Sequence, residues 1–121
     1  MKAVDLIEKL GLFTEQWHPH LIAEGDSLQV FVARLEGEFI KHTHDNGDEL
    51  FYVVDGEMEM CFPDRIVSVR KGQIILVPRG TEHCPRTVSG QEVHVLVVEP
   101  VGTKHTGNIE HERTVKEYPR I

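Results

Sequence analysis

A chain of 121 residues with 40% hydrophobic and 27% charged residues has the length and composition of one ordinary folded domain. Its formal net charge of −7 turns it away from phosphate backbones and anionic membrane surfaces, so neither a nucleic-acid nor a membrane partner is expected. No run reaches the ~20 apolar residues of a membrane span, Asp5 and Glu8 interrupt any leader-like stretch, and Cys61 and Cys84 lack CxxC spacing; these features predict a cytoplasmic protein with reduced thiols.

In chain order, Val4, Leu6, Ile7 and Leu10 recur at helical spacing and Gly11 follows at a C-cap position, which predicts a short helix over residues 3 to 10. From Trp17 onward the texture is that of strands. The β-rich runs are 21–23, 27–44, 49–54, 57–62, 65–70, 73–78 and 92–99, and turn pairs such as Asn46-Gly47, Asp55-Gly56, Lys71-Gly72 and Ser89-Gly90 punctuate them. The spacing predicts an all-β domain of meandering antiparallel strands, a closed barrel or two packed sheets. The division expected is an N-terminal extension (1–26), a barrel core (27–100) and a C-terminal tail (101–121). In 57–62, Met58, Met60 and Phe62 face one way and Glu57, Glu59 and Cys61 the other. The runs 49–54 and 73–77 are apolar on both parities, so each needs cover outside as well as inside, from a terminal segment or a second subunit; a homodimer is expected.

His42 and His44 stand two apart at the end of a strand, so both imidazoles project to one face. Glu49 opens the next strand after a turn and brings a carboxylate back beside them, and His83 follows the PRGTE turn. Three imidazoles and a carboxylate suit Fe, Mn, Ni, Zn and their transition-metal neighbours better than Ca or Mg. Asp48 is the second choice for the carboxylate, should the hairpin shift by one residue.

These residues fall into two motifs. GEFIKHTHDNGDELFYVVDG supplies His42, His44, Glu49 and Gly56, and GQIILVPRGTEHCPRT supplies Gly72, Pro78, Gly80 and His83. The chain thereby resembles the cupin superfamily over residues 37–87, and its remaining segments, EQWHPH near the start and VHVLVVEPVGTKHTGN with HERTVKEY near the end, resemble a group of small single-domain cupins often labelled mannose-6-phosphate isomerase-like. Two departures stand out: Gly37 precedes His42 by one residue fewer than is usual, and Thr87 stands where asparagine is common. The resemblance implies a double-stranded β-helix, a jelly roll with a short N-terminal helix here, holding one divalent transition metal (Fe, Mn, Ni or Zn) on His42, His44, Glu49 and His83. The label establishes no reaction.

Among the other histidines, His18, His20, His105 and His111 lack ligand spacing and read as surface or interface residues. His94 interrupts an apolar strand, as a hydrogen-bonded core histidine or a group beside the pocket; the first is the ordinary fate of a lone strand histidine. Cys84 points away from His83 by strand alternation. Phe51, Met58, Met60 and Phe62 are candidates for core or pocket lining, and the facing of Arg34 turns on whether a bulge at Gly37 shifts the register. The function expected is that of a metalloenzyme acting on a small polar metabolite, with the metal as Lewis acid or oxygen-activating centre. A non-catalytic module that binds or senses a small molecule is the alternative. Sugar-phosphate isomerisation is the weaker one, since no cluster of Arg or Lys offers itself to a phosphate.

Overall fold

The computed structural model describes residues 2–88 and 90–121; the turn expected at Ser89-Gly90 therefore lies partly outside the described residues. One helix, α1 (Leu6–Leu10), precedes eight strands: β1 (His20–Glu24), β2 (Leu28–Leu35), β3 (Glu49–Asp55), β4 (Glu57–Cys61), β5 (Ile66–Arg70), β6 (Ile74–Val77), β7 (Cys84–Thr87) and β8 (Val93–Pro100). They form a five-stranded sheet, β1-β2-β8-β3-β6, and a three-stranded sheet, β5-β4-β7, with every strand pair antiparallel. This is the jelly roll expected from the motifs. Its first strand, β1, lies within the 1–26 segment and pairs with β2, so the five-stranded sheet starts before residue 27.

Alternation decides what faces inward. Phe31, Ala33 and Leu35 of β2, Phe51 and Val53 of β3, Met58 and Met60 of β4, and Val93, Val95 and Val97 of β8 pack into one core. On the opposite face of the large sheet a smaller cluster forms, in which Leu10 and Phe13 lie with Val32 and the partly buried Leu6, Ile22, Val54 and Leu96. That cluster explains why so short a helix persists. Asp5 caps it by accepting from Glu8 N at 3.0 Å, and its apolar side is buried against the sheet.

Three local features differ from the sequence expectation. The run 27–44 is strand only over β2; at Gly37 the backbone turns to φ +92°, which ends the extended run, and Thr87 Oγ1 accepts from Gly37 N at 2.8 Å to hold the turn. His42 and His44 are thus carried by an irregular segment, tied down by the reciprocal backbone pairing of His42 with His83. Strand β7 had no signal, because Pro85 and Arg86 are poor strand formers; Pro85 is tolerated because β7 is an edge strand of its sheet. The tail is no loose end. Leu21 N donates to Pro119 O and Ile121 N to Leu21 O, while Gly107 lies so close to the Thr43 backbone that a Cβ there would collide with it.

On the outer face, α1 covers the β2–β8 side, whereas Ile74 (62% exposed) and Leu76 (54%) on β6 have no cover within the chain. The outer cover expected for 49–54 is half present, with Leu50, Tyr52 and Val54 partly buried.

Candidate metal centre

His42, His44, Glu49 and His83 are all buried, and one ligating atom from each lies within 4.8 Å of every other. Each arrives by a different local route. Glu49 is the first residue of β3 and points inward by the same parity as Phe51 and Val53. His83 is fixed next to His42 by the two backbone hydrogen bonds between them, each 3.0 Å. His44 is anchored by Gly80 N donating to its carbonyl at 2.9 Å. Asp48 is exposed and accepts from Arg79 N at 2.8 Å, so the carboxylate at the centre is that of Glu49.

Hydrogen bonding fixes which nitrogens face the centre. His42 Nδ1 lies 2.9 Å from Ile40 O and His83 Nδ1 lies 2.9 Å from Thr81 O. A carbonyl only accepts, so each Nδ1 carries the proton and each Nε2 presents a lone pair. His83 Nε2 then stands 3.1 Å from Glu49 Oε1 and His44 Nε2 stands 3.4 Å from the same oxygen, while neither ring nitrogen of His44 makes a hydrogen bond. Lone pairs of imidazole and carboxylate brought together out of water repel unless a cation lies among them. The donor set fits a borderline transition metal, and the carbonyl bonds at Nδ1 are the supports that orient metal-binding imidazoles.

Protonation of the isolated site follows from the same burial. Burial and the neighbouring His83 push His42 down to about 4, so its ring is neutral at physiological pH. Burial works to raise the Glu49 carboxyl, but the His44 and His83 rings beside its Oε1 outweigh that and hold it below the usual carboxylate range.

Beside His42 and Glu49 the barrel interior forms a small pocket open to solvent. Its walls are Trp17, Phe31, Phe39, Phe51, Val95 and Val97. Of the four residues read as core or lining, Phe51 lines the pocket; Met58 and Met60 are fully buried core, and Phe62 packs against that core without reaching the pocket.

Glu99, Tyr118 and His105 complete the lining, and the motifs gave no notice of them. The Glu99 carboxyl accepts from Gln29 Nε2 at 3.1 Å. Burial and the adjacent Glu49 push it up to about 10, so it stays a neutral acid. A signal for it did exist, since Val93, Val95 and Val97 face inward and Glu99 continues their parity. His105 corrects the reading of surface or interface histidines: the folded-back tail brings its ring to 5.1 Å from that of Phe39, Val115 N donates to its Nδ1 at 2.9 Å, and burial pushes it down to about 4. His20 is also buried, stacked on Phe13 at 3.7 Å. The residues near Cys84 confirm the alternation, for its Sγ points to Phe39 O at 3.2 Å; burial raises the thiol to about 11.

His94 and Arg34 lie on the other face of the sheet, opposite one another in the β2–β8 register. His94 is hydrogen-bonded as expected, but on the outer side under α1 instead of in the core, where its Nε2 lies 2.9 Å from Glu92 Oε1. Arg34 does not reach the barrel interior; it donates to Leu10 O and to Glu92 Oε1, both at 2.6 Å.

The family model described as "Cupin domain" matches residues 29–99, which take in all four ligands and seven of the eight strands. Among solved structures the chain is similar to a cupin-2 domain containing protein from Shewanella frigidimarina (32% identity, TM-score 0.76, covering 80% of this chain and 93% of that one). It is also similar to a protein from Neisseria meningitidis (26% identity, TM-score 0.72, 82% and 99% covered). A curated relative, an uncharacterized protein of Bacillus subtilis, is 37% identical over 67 residues, 54% of this chain and only 59% of that relative's length. With the family model covering more than half of the chain and the ligand set assembled inside a jelly roll, the chain belongs to the cupin family.

Proposed function

We propose that this cupin is a metalloenzyme that takes a small molecule into the barrel and holds it beside one divalent transition metal, Fe, Mn, Ni or Zn, on His42, His44, Glu49 and His83. The observation that carries the reading is the convergence of three ring nitrogens and one carboxylate oxygen, all buried, two of whose residues, His42 and Glu49, line a pocket open to solvent. A purely structural ion would need no such access. When bound, the metal would supply Lewis acidity or, as iron, oxygen activation. The protein's own residues orient the donors through Ile40 O and Thr81 O, and keep water from the apolar walls. Glu99, a neutral acid beside Glu49, offers a proton that the ligand set lacks.

The mannose-6-phosphate isomerase-like label fares less well, since among the described residues no Lys or Arg lines the pocket. The acidic balance and the free thiols of Cys61 and Cys84 support the reading of a cytoplasmic protein that keeps away from nucleic acid and anionic membranes. A second copy covering Ile74 and Leu76 would make the homodimer.

Elemental analysis of untagged protein purified without chelator tests the reading, followed by an oxygen-uptake and turnover screen of the metal-replete form. One equivalent of a transition metal with metal-dependent turnover is the expected result. A chain that binds a ligand tightly without turnover would be a sensing module, and one that refuses every transition metal would sink the metal-centre reading.

A further inference from the structure

A cupin pocket built for a polar metabolite should present polar walls, and this one does not. Its polar members are few: Glu49, with His42 and Glu99 adjoining it, and the polar-edged His105 and Tyr118. Everything else is hydrocarbon or aromatic ring: Trp17, Phe31, Phe39 and Phe51 from four different segments, and the inward valines of β8. Trp17 and Phe39 lie face to face, 4.9 Å apart at 14°, and Phe31 meets Tyr118 at 4.5 Å, so the walls present ring faces and edges to whatever enters.

Much of the polar capacity of these walls is already spent. Trp17 Nε1 donates to Glu36 O at 2.8 Å, and the Nδ1 atoms of His42 and His105 are engaged with Ile40 O and Val115 N. A ligand with many hydroxyls or a phosphate would meet only the Tyr118 hydroxyl, His105 Nε2 and the Glu99 carboxyl, with no Lys or Arg among the described lining residues, and would leave most of its own polar groups stripped of water. An apolar body with its oxygens at one end loses nothing on entry and gains from the area buried.

Building on the metal-centre reading, we propose that the natural ligand is a predominantly apolar compound, flat or aromatic, that carries its oxygen donors at one end and points them at the His42–His44–Glu49–His83 centre. This replaces the polar metabolite expected from the sequence. The ligand's head is chosen by the metal and Glu99, and its body by Phe31, Phe39, Phe51 and Val97.

A matched pair of probes separates head from body. Acetohydroxamate and benzohydroxamate share one chelating head and differ by methyl against phenyl. Each is titrated into the Co²⁺-loaded full chain by calorimetry, with the visible Co²⁺ bands reporting coordination, and their ratio of affinities is divided by the ratio for free Co²⁺. At least about tenfold preference for benzohydroxamate is expected from burying the ring. Ala33→Leu, which fills the pocket without touching a ligand residue, should abolish that preference and leave Co²⁺ uptake and acetohydroxamate binding in place. Val95→Ile, a smaller addition on the same wall, is the companion variant and serves alone if Ala33→Leu does not fold. Equal affinities for the two probes, or a preference that survives both variants, would overturn the proposal. Should the chain refuse Co²⁺, the metal-centre reading falls separately. The pocket is then read in metal-free protein with naphthalen-2-ol fluorescence: binding that Ala33→Leu removes upholds an apolar ligand, and no binding rejects it.

Discussion

His83 inside the barrel and His94 on the outer face of the five-stranded sheet both stand within hydrogen-bond distance of a glutamate, 3.1 Å from Glu49 and 2.9 Å from Glu92. Glu92 also receives Gln16 Nε2 at 2.9 Å and Arg34 Nη1 at 2.6 Å, so its carboxylate meets donors with a full positive charge among them. Glu49 has no lysine or arginine among its salt-bridge partners, only the imidazoles of His44 and His83, and the Nδ1 bonds of His42 and His83 leave each of those rings with a lone pair turned toward the centre. A His–Glu contact is therefore not a metal site in itself. What distinguishes the inner one is a deficit of positive charge that a cation must fill; the outer one is a complete structural clamp between β2, β8 and the helix end at Leu10.

Removing a ligand should break the inner site and spare the outer one. His83→Ala, and equally His42→Ala, is expected to lower transition-metal affinity by at least about 100-fold, since the loss of outer supports alone commonly costs 10- to 100-fold. The β-sheet circular dichroism should persist, because both residues sit outside the strands that build the two sheets. Equilibrium dialysis against a metal buffer measures it; wild-type affinity in either variant would remove that residue from the centre.

The converse substitution is Arg34→Ala. Its guanidinium holds Leu10 O and Glu92 together across 58 residues of sequence between the two charged partners. Losing these charge-assisted bonds should cost about 2 kcal/mol in urea unfolding, with metal affinity unchanged within twofold. A variant as stable as wild type would show that the clamp is ornamental; one that loses metal would show that the two regions are coupled through the sheet.

How far the sequence foretold this contrast depends on what each residue's signal was. The inner site was legible because motif spacing is local: HxH, the turn to Glu49 and the glycine turn before His83 each bring their residue in over a few positions. The same holds for the strands with clean alternation, such as β4 and β8. Glu99 and Gln29 could have been read from inward parity, but a single polar residue at a strand end resembles the start of a loop. His105 and Tyr118 were beyond reach because the tail that carries them has no periodicity; its course is fixed by Gly107 against Thr43 and by Pro119 and Ile121 against Leu21. Arg34 and His94 were ambiguous because β2 bears apolar residues on both faces, and only the pairing of Arg34 with His94 shows that they share the outer one.

Acid gives the finest test of the outer clamp. Burial works to raise Glu92, but hydrogen bonds from Gln16, His94 and Arg34 prevail and hold it down to about 2, against an ordinary 4.5. A carboxylate depressed in the folded state contributes stability that is whole above 4.5 and drains away as pH falls toward 2. Glu92→Gln keeps the shape and an accepting oxygen but cannot titrate. Its metal-free form should be less stable than wild type near neutrality by about 1 kcal/mol or less, as befits a partly exposed ion pair. The gap should close between pH 4.5 and 2 as wild-type Glu92 takes up its proton, read as converging urea midpoints. A gap that stayed constant over that range would mean that Arg34 is held by Leu10 O alone, and that the charge on Glu92 contributes nothing to joining the two strands.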